Sequence, residues 1–295
     1  MKMNKTFLLV VLSCLSLMSC GQESKSVKYF KDTEAYKLAQ LVEKNDTLEI
    51  KRIVSKNSKL LEVTNPISGS NVLDLAVILE NYEVFKALID LGANPNFINP
   101  LTKRSVLIDA CKFYWKPEPY SIDLRYIDLL LRNGANPNYA IEKEKINEKG
   151  YYQLGTSTSA IHEASKLDLG MVKLLIKYGA DPYKKLEQNQ NPPFYESLSG
   201  TEFDISNYYI DSLKVNIREP LAVFENEDTK KKNVIYIQDV VVNKFLKAKL
   251  QGNTADMERL KSENPKIEKA NQNGWEFIQK LERMGIDFKN YKFKK

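Results

Sequence analysis

The sequence predicts an all-α chain that repeats one helix–turn–helix unit, and three observations predict it. The turn Gly92–Asn96 reads GANPN, Gly134–Asn138 reads GANPN again, and Gly179–Tyr183 reads GADPY. Each turn ends a similar apolar run: VFKALIDL, YIDLLLRN and MVKLLIKY. Each is followed by a loop and then by a short helix opening. Self-similarity of this kind marks a stack of one supersecondary unit.

The N-terminus reads as an address, not as fold. Lys2 and Lys5 form a basic start, and Phe7 to Met18 (FLLVVLSCLSLM) is an apolar core. It is short for a bilayer span and has the length of an export signal. It runs into Leu17-Met18-Ser19-Cys20, which resembles the lipobox of bacterial lipoproteins, with Met18 a less usual occupant. The resemblance implies cleavage before Cys20, lipid on that residue and a membrane anchor. The plainer alternative is an ordinary secretory signal with a chance cysteine. Gly21 after Cys20 favours an outer-membrane address in the pattern familiar from enterobacteria, with either face of the membrane open. Residues 1–19 are thus a signal peptide, and 20–32, polar and Ser/Lys-rich, a tether. With Cys14 removed and Cys20 lipidated, Cys111 is the remaining thiol. The fold then rests on packing, not on an internal disulfide.

A first, weaker repeat follows. Asp32 or Thr33 caps a helix that continues through Ala35 to Val42, Lys44-Asn45-Asp46 turns the chain, and Leu48 to Val54 forms a second helix. Leu48, Ile50, Ile53 and Val54 recur near helical spacing. Terminal repeats need a polar outer face.

The next three openings are Ser70-Asn71-Val72-Leu73-Asp74-Leu75-Ala76, Arg104-Ser105-Val106-Leu107-Ile108-Asp109-Ala110 and Thr158-Ser159-Ala160-Ile161-His162-Glu163-Ala164. Here the chain resembles the ankyrin repeat, whose first helix opens T-P-L-H-x-A and whose second ends G-A-D-x-N. The match is clearest over residues 70–185. His162 and Ala164 match outright, and Asp74 and Ile108 stand where the other copies would carry the His. The resemblance implies an ankyrin-repeat solenoid with loop or β-hairpin fingers over residues 33–216, and 217–295 as divergent helical repeats or a cap. It also implies that His162 is structural, bonding to loop backbone.

The residues support this reading independently. Gly92, Gly134 and Gly179 sit where helices end in the left-handed region, and the Pro three positions later stops the helix resuming. Ala76, Ala110 and Ala164 are small where two helices approach. The glycines lie 134 − 92 = 42 and 179 − 134 = 45 residues apart, against ~33 for an ankyrin unit. The excess falls in two inserts. Phe113 to Asp123 lies between two helices, and Ile141 to Gly155 precedes a first helix. Beyond Tyr183, Pro192-Pro193-Phe194 to Leu198 opens a fifth unit whose second helix is Asp204 to Val215. Ile217 to Asn233 reads as irregular and charged. Ala248 to Leu260 reads as a further helix–turn–helix, Trp275 to Arg283 as a last helix, and Lys289 to Lys295 as a basic tail.

Composition narrows the function. The net charge is +6, from 44 basic and 38 acidic residues that are interleaved. That is a solvated surface, not a nucleic-acid stripe. One His and one free Cys give no zinc cluster, and no phosphate loop or nucleophile elbow occurs. No cofactor is expected. A Cys111–His162 pair is conceivable, but Cys111 follows Ala110 in a packed helix, where an inert thiol is expected.

Protein binding fits better. In the ankyrin family the fingers and inner helices carry partner contacts. The finger Ile141 to Gly155 holds Lys143 and Lys145 and ends in Tyr151 and Tyr152, and the other insert holds Tyr114, Trp115 and Tyr120. These aromatics either anchor a partner or fold back over their own repeat. The expectation is a monomeric, non-enzymatic, lipid-anchored envelope protein that binds another protein, one version being an immunity protein that masks a toxin. A scaffold for envelope complexes is the alternative, and a hydrolase in the divergent C-terminal region a remote one.

Overall fold

The computed structural model describes residues 23–112, 122–141, 157–186, 191–199, 203–225, 232–242, 265–288 and 291. Cys20, Tyr114, Trp115, Tyr120, Lys143, Lys145, Tyr151 and Tyr152 lie outside the described residues, as do the expected helices in 248–260 and most of the basic tail. The chain divides into two units, Met1–Ala93 and Asn94–Lys295.

The first unit holds α1 (Lys25–Lys28), α2 (Tyr36–Glu43), α3 (Thr47–Lys56), a 3-10 turn (Ser58–Leu61), α4 (Val72–Ile78) and α5 (Tyr82–Asp90). Helices this short are marginal alone and need a packed face. In α3, Ile50 and Val54 recur on one face and are buried, and Asp46 caps the helix by accepting from the Glu49 N–H at 3.0 Å. In α4, Asn71 accepts from the Asp74 N–H at 3.0 Å, while its amide donates to the Leu61 carbonyl at 3.2 Å. The inner helices α2 and α4 pack side by side, and the outer helices α3 and α5 pair behind them. Leu38, Val42, Leu73, Leu75, Phe85 and Leu88 fill the space between. The Asn81 amide locks the layers by donating to the Val42 carbonyl at 2.7 Å.

Two expectations change here. Residues 24–30 are not a free tether: α1 packs on α2, and Val27 and Phe30 are buried. Their apolar contribution is a single helical turn, too short to show a period among the surrounding Ser and Lys. Leu48, placed by spacing with Ile50 and Val54, is 79% exposed.

The second unit continues the same logic. Inner helices α6 (Val106–Lys112), α8 (Ala160–Ser165) and α10 (Pro193–Ser197) form one row, and outer helices α7 (Leu124–Arg132), α9 (Leu169–Lys177) and α11 (Asp204–Asp211) form the other. Each inner helix packs on the outer helix that follows it. Leu107, Ile127, Ile161, Leu175, Phe194 and Tyr209 are buried between the rows. The long insert before α8 is based on an antiparallel pair, β1 (Ala140–Ile141) with β2 (Thr158–Ser159).

The segment expected to be irregular contains a hairpin, β3 (Ala222–Glu225) with β4 (Lys232–Ile235), which leads into α12 (Ile237–Val241). The last helix, α13, runs Pro265–Arg283 and begins ten residues earlier than its apolar pattern suggests. It closes the end of the unit. Phe277 stacks on Phe203 with centroids 4.4 Å apart. Lys280 Nζ reaches Asn207 Oδ1 and Asp211 Oδ2, both at 2.7 Å. Both units are all-α repeat stacks with short β elements at the loops, the fold class that the sequence predicts.

Candidate protein-binding surface

The repeated turn is a fastening device held by backbone and side-chain bonds. Gly92, Gly134 and Gly179 have φ of +91°, +84° and +88°, a region that costs a residue with Cβ about 1–2 kcal/mol. The third residue closes its own turn: Asn94, Asn136 and Asp181 accept from the N–H two residues on at 2.8–2.9 Å. The fifth residue reaches the next repeat. Asn96 donates to the Gly134 carbonyl at 2.8 Å and accepts from the Asn136 N–H at 2.7 Å. Asn138 does the same to Gly179 and Asp181, both at 2.8 Å.

In the third copy Tyr183 replaces that Asn, and the following repeat has no matching glycine turn. The longer side chain reaches instead to the Leu213 carbonyl, at 2.6 Å. The change from GANPN to GADPY therefore marks where the side-chain ladder changes form.

Beyond these turns the fingers begin, and a second motif appears that the sequence reading missed. Asn65-Pro66-Ile67-Ser68 and Asn99-Pro100-Leu101-Thr102 share one pattern, 34 residues apart by subtraction. In each unit the buried Asn organises the finger. Asn65 Oδ1 accepts from the N–H groups of Ile67 and Ser68 at 3.1 and 2.7 Å. Asn99 Oδ1 accepts from those of Leu101 and Thr102 at 2.9 and 3.0 Å. The backbone closes the same way, Asn65 N–H to the Ser70 carbonyl at 3.0 Å and Asn99 N–H to the Arg104 carbonyl at 2.8 Å. Each finger thereby holds an aliphatic side chain out in water: Ile67 is 61% exposed and Leu101 42%. Within the second unit, Tyr139 Oη also ties this finger down by donating to the Lys103 carbonyl at 2.7 Å. A cleft of about 330 Å³ between the finger base and the next turn is lined by Pro95, Ile98, Leu107 and Tyr139.

The inner helices of the second unit add a row of carboxylates. Asp109, Glu163 and Glu196 occupy matching positions of α6, α8 and α10, one residue before the small Ala110, Ala164 and Ser197. Asp109 pairs with Arg104. Glu163 accepts from Thr158 Oγ1 at 2.9 Å, and Lys166 lies 3.5 Å from it and 3.8 Å from Glu196. Asn191 Nδ2 donates to Glu196 at 2.7 Å. Burial pushes the carboxyls of Asp109 and Glu196 up, against the pull of Arg104 and Lys166. Each carboxylate is held by at least one neighbouring donor.

His162 and Cys111 sit in different settings. His162 is fully buried, with Nδ1 2.7 Å from Ser159 Oγ and Nε2 3.1 Å from the Asn191 carbonyl. A carbonyl only accepts, so Nε2 carries the hydrogen and Ser159 donates to Nδ1. The ring joins α8 to the loop before α10. Desolvation lowers its pKa from 6.5 to about 4, with the Asn191 carbonyl opposing, so it is neutral at pH 7. Cys111 is buried, and burial pushes its thiol up. Such a thiol is a poor nucleophile. Among the described residues no group of His, Cys, Asp and Glu could hold a metal ion, and no helix is long and apolar enough to cross a membrane.

No protein-family model matches this chain, and no curated protein matches it. Among solved structures it is similar to the human ASB11 ankyrin repeat domain, at 16% identity and a TM-score of 0.45, over 61% of this chain and 70% of that one.

Proposed function

We propose that this chain is a lipid-anchored repeat protein of a bacterial envelope that binds another protein and performs no chemistry of its own. The observation that carries the reading is the pair of fastened fingers, each holding an aliphatic tip in solvent: Ile67 in the first unit and Leu101 in the second. An exposed apolar side chain on a pre-organised turn loses little entropy on docking. Anchoring rests on the lipobox-like Leu17–Cys20, and an immunity role masking a toxin is the version a single tight protein ligand would identify.

Capture of partners from envelope extracts, by the native chain and by Leu101→Ser, tests the binding claim. One protein retained by the native chain and lost by the variant supports it, whereas equal retention of several abundant envelope components favours a scaffold. Turnover of any substrate that His162→Ala abolishes in a folded protein overturns the non-enzymatic claim. For the anchor, Cys20→Ser should leave the membrane fraction.

A further inference from the structure

Glu23 and Ser24 are fastened to α2, close behind the lipobox-like Leu17–Cys20. The Glu23 carboxylate accepts from Tyr36 Oη at 2.9 and 3.0 Å and from Gln40 Nε2 at 2.9 Å. The Ser24 N–H donates to Glu43 Oε1 at 2.8 Å. Val27 and Phe30 then bury against α2. Cys20 is only three residues before Glu23. An extended chain covers at most ~3.6 Å per residue, so that leash reaches about 11 Å. Lipid on Cys20 would place that residue at the bilayer interface, where the headgroup layer is itself ~5–7 Å thick. The α2 face that holds Glu23 must then lie next to the headgroups.

The surface at that place has the composition such contact needs. Glu43, which holds Ser24, leads through Lys44–Asp46 into α3. On the first turn of α3, Leu48 is 79% exposed, and Lys51 and Arg52 lie three and four residues on, on the same side. Arg52 is engaged by Glu49 at 2.5 and 2.6 Å, and Asp46 is engaged in capping α3. Lys44 and Lys51, both exposed, are the cations beside the leucine. A solvent-facing leucine flanked by lysines suits the boundary of acyl chains and phosphates.

We infer that the α2–α3 turn of the first repeat lies on the bilayer, with Leu48 at the edge of the hydrocarbon and Lys44 and Lys51 on lipid phosphates. This rests on the lipid assignment of Cys20 above. Ile67 lies in a separate finger, beyond α3 and the 3-10 turn in the chain, and is 61% exposed; it serves as the site expected to stay in water.

The experiment uses the full lipidated chain in vesicles of zwitterionic and anionic phospholipid, with an environment-sensitive fluorophore on Leu48→Cys or, separately, on Ile67→Cys. Cys111 is buried and escapes labelling in the folded protein. Lipid-borne quencher should quench the Leu48→Cys probe severalfold more than the Ile67→Cys probe. Lys44→Glu with Lys51→Glu, or ten Gly/Ser residues inserted after Gly21, should reduce that difference. Equal, weak quenching at both sites in protein that still floats with the vesicles overturns the apposition while leaving the anchor standing. Protein that does not float, and behaves as Cys20→Ser does, overturns both.

Discussion

Lowering pH should destabilise this fold through His162, the chain's one histidine. The folded pKa is depressed from 6.5 to about 4, chiefly by desolvation. The unfolded chain therefore takes up the proton first. The neutral-ring contribution is fully present above pH 6.5 and is lost as pH falls through the window from 6.5 to 4. Its size is 6.5 − 4, about 2.5 pK units, at ~1.36 kcal/mol each, or about 3 kcal/mol. Most of that should be gone by pH 4.5.

Asp109 and Glu196 act with the opposite sign. Burial raises their pKa values, so their contribution grows as pH falls. The assay must therefore be a difference. Urea unfolding of Cys20→Ser protein from pH 7.5 to 4.5 is compared with the same protein carrying His162→Gln, and the single imidazole C2–H resonance is titrated by NMR. The difference between the two stability curves should shrink by about 2–3 kcal/mol over that range. A flat difference, or an imidazole titrating at or above 6.5, would refute the reasoning.

Three further outcomes follow from the packing. Asn138→Ala removes two exposed bonds to the next turn and should cost about 1 kcal/mol in urea unfolding, with faster amide exchange at Asp181; unchanged exchange would deny the ladder. Gly134→Ala places a Cβ that meets nothing within 4 Å, so calorimetry should register only the backbone strain of φ +84°, about 1–2 kcal/mol. Cys111 should stay unmodified by an aromatic disulfide reagent until the fold opens, given its burial, and stoichiometric labelling of native protein within the mixing time would contradict that.

The helical repeats were legible because their signal is local. Glycine after an apolar run, proline three residues later and a small residue in each helix opening are all readable within one unit. What those turns bond to was not. Asn96 and Asn138 recur in the sequence, but their partners lie about 40 residues on, and only the packed repeats bring them together. The Asn-Pro-Ile-Ser and Asn-Pro-Leu-Thr fingers were visible in principle as a 34-residue repeat. They escaped because the glycine turns set a different register, and because Lys103 takes the left-handed φ of +57° where Gly69 has +74°.

Val27 and Phe30 were hidden among Ser and Lys, and Leu48 was misplaced because four helical residues cannot define a face. The carboxylate row was not legible at all, since its members stand in unlike contexts, LIDA, IHEA and FYES. The aromatic candidates Tyr114, Trp115, Tyr120, Tyr151 and Tyr152 lie outside the described residues, so the fingers at Ile67 and Leu101 carry the structural case for binding.

Affinity capture with the lipidated chain, run beside Ile67→Ser and Leu101→Ser, is the most direct test of a finger-borne protein-binding role. The expected result is one protein partner held by the native chain and released by both variants, each of which unfolds at the native urea midpoint. An unchanged partner set with either folded variant would contradict it.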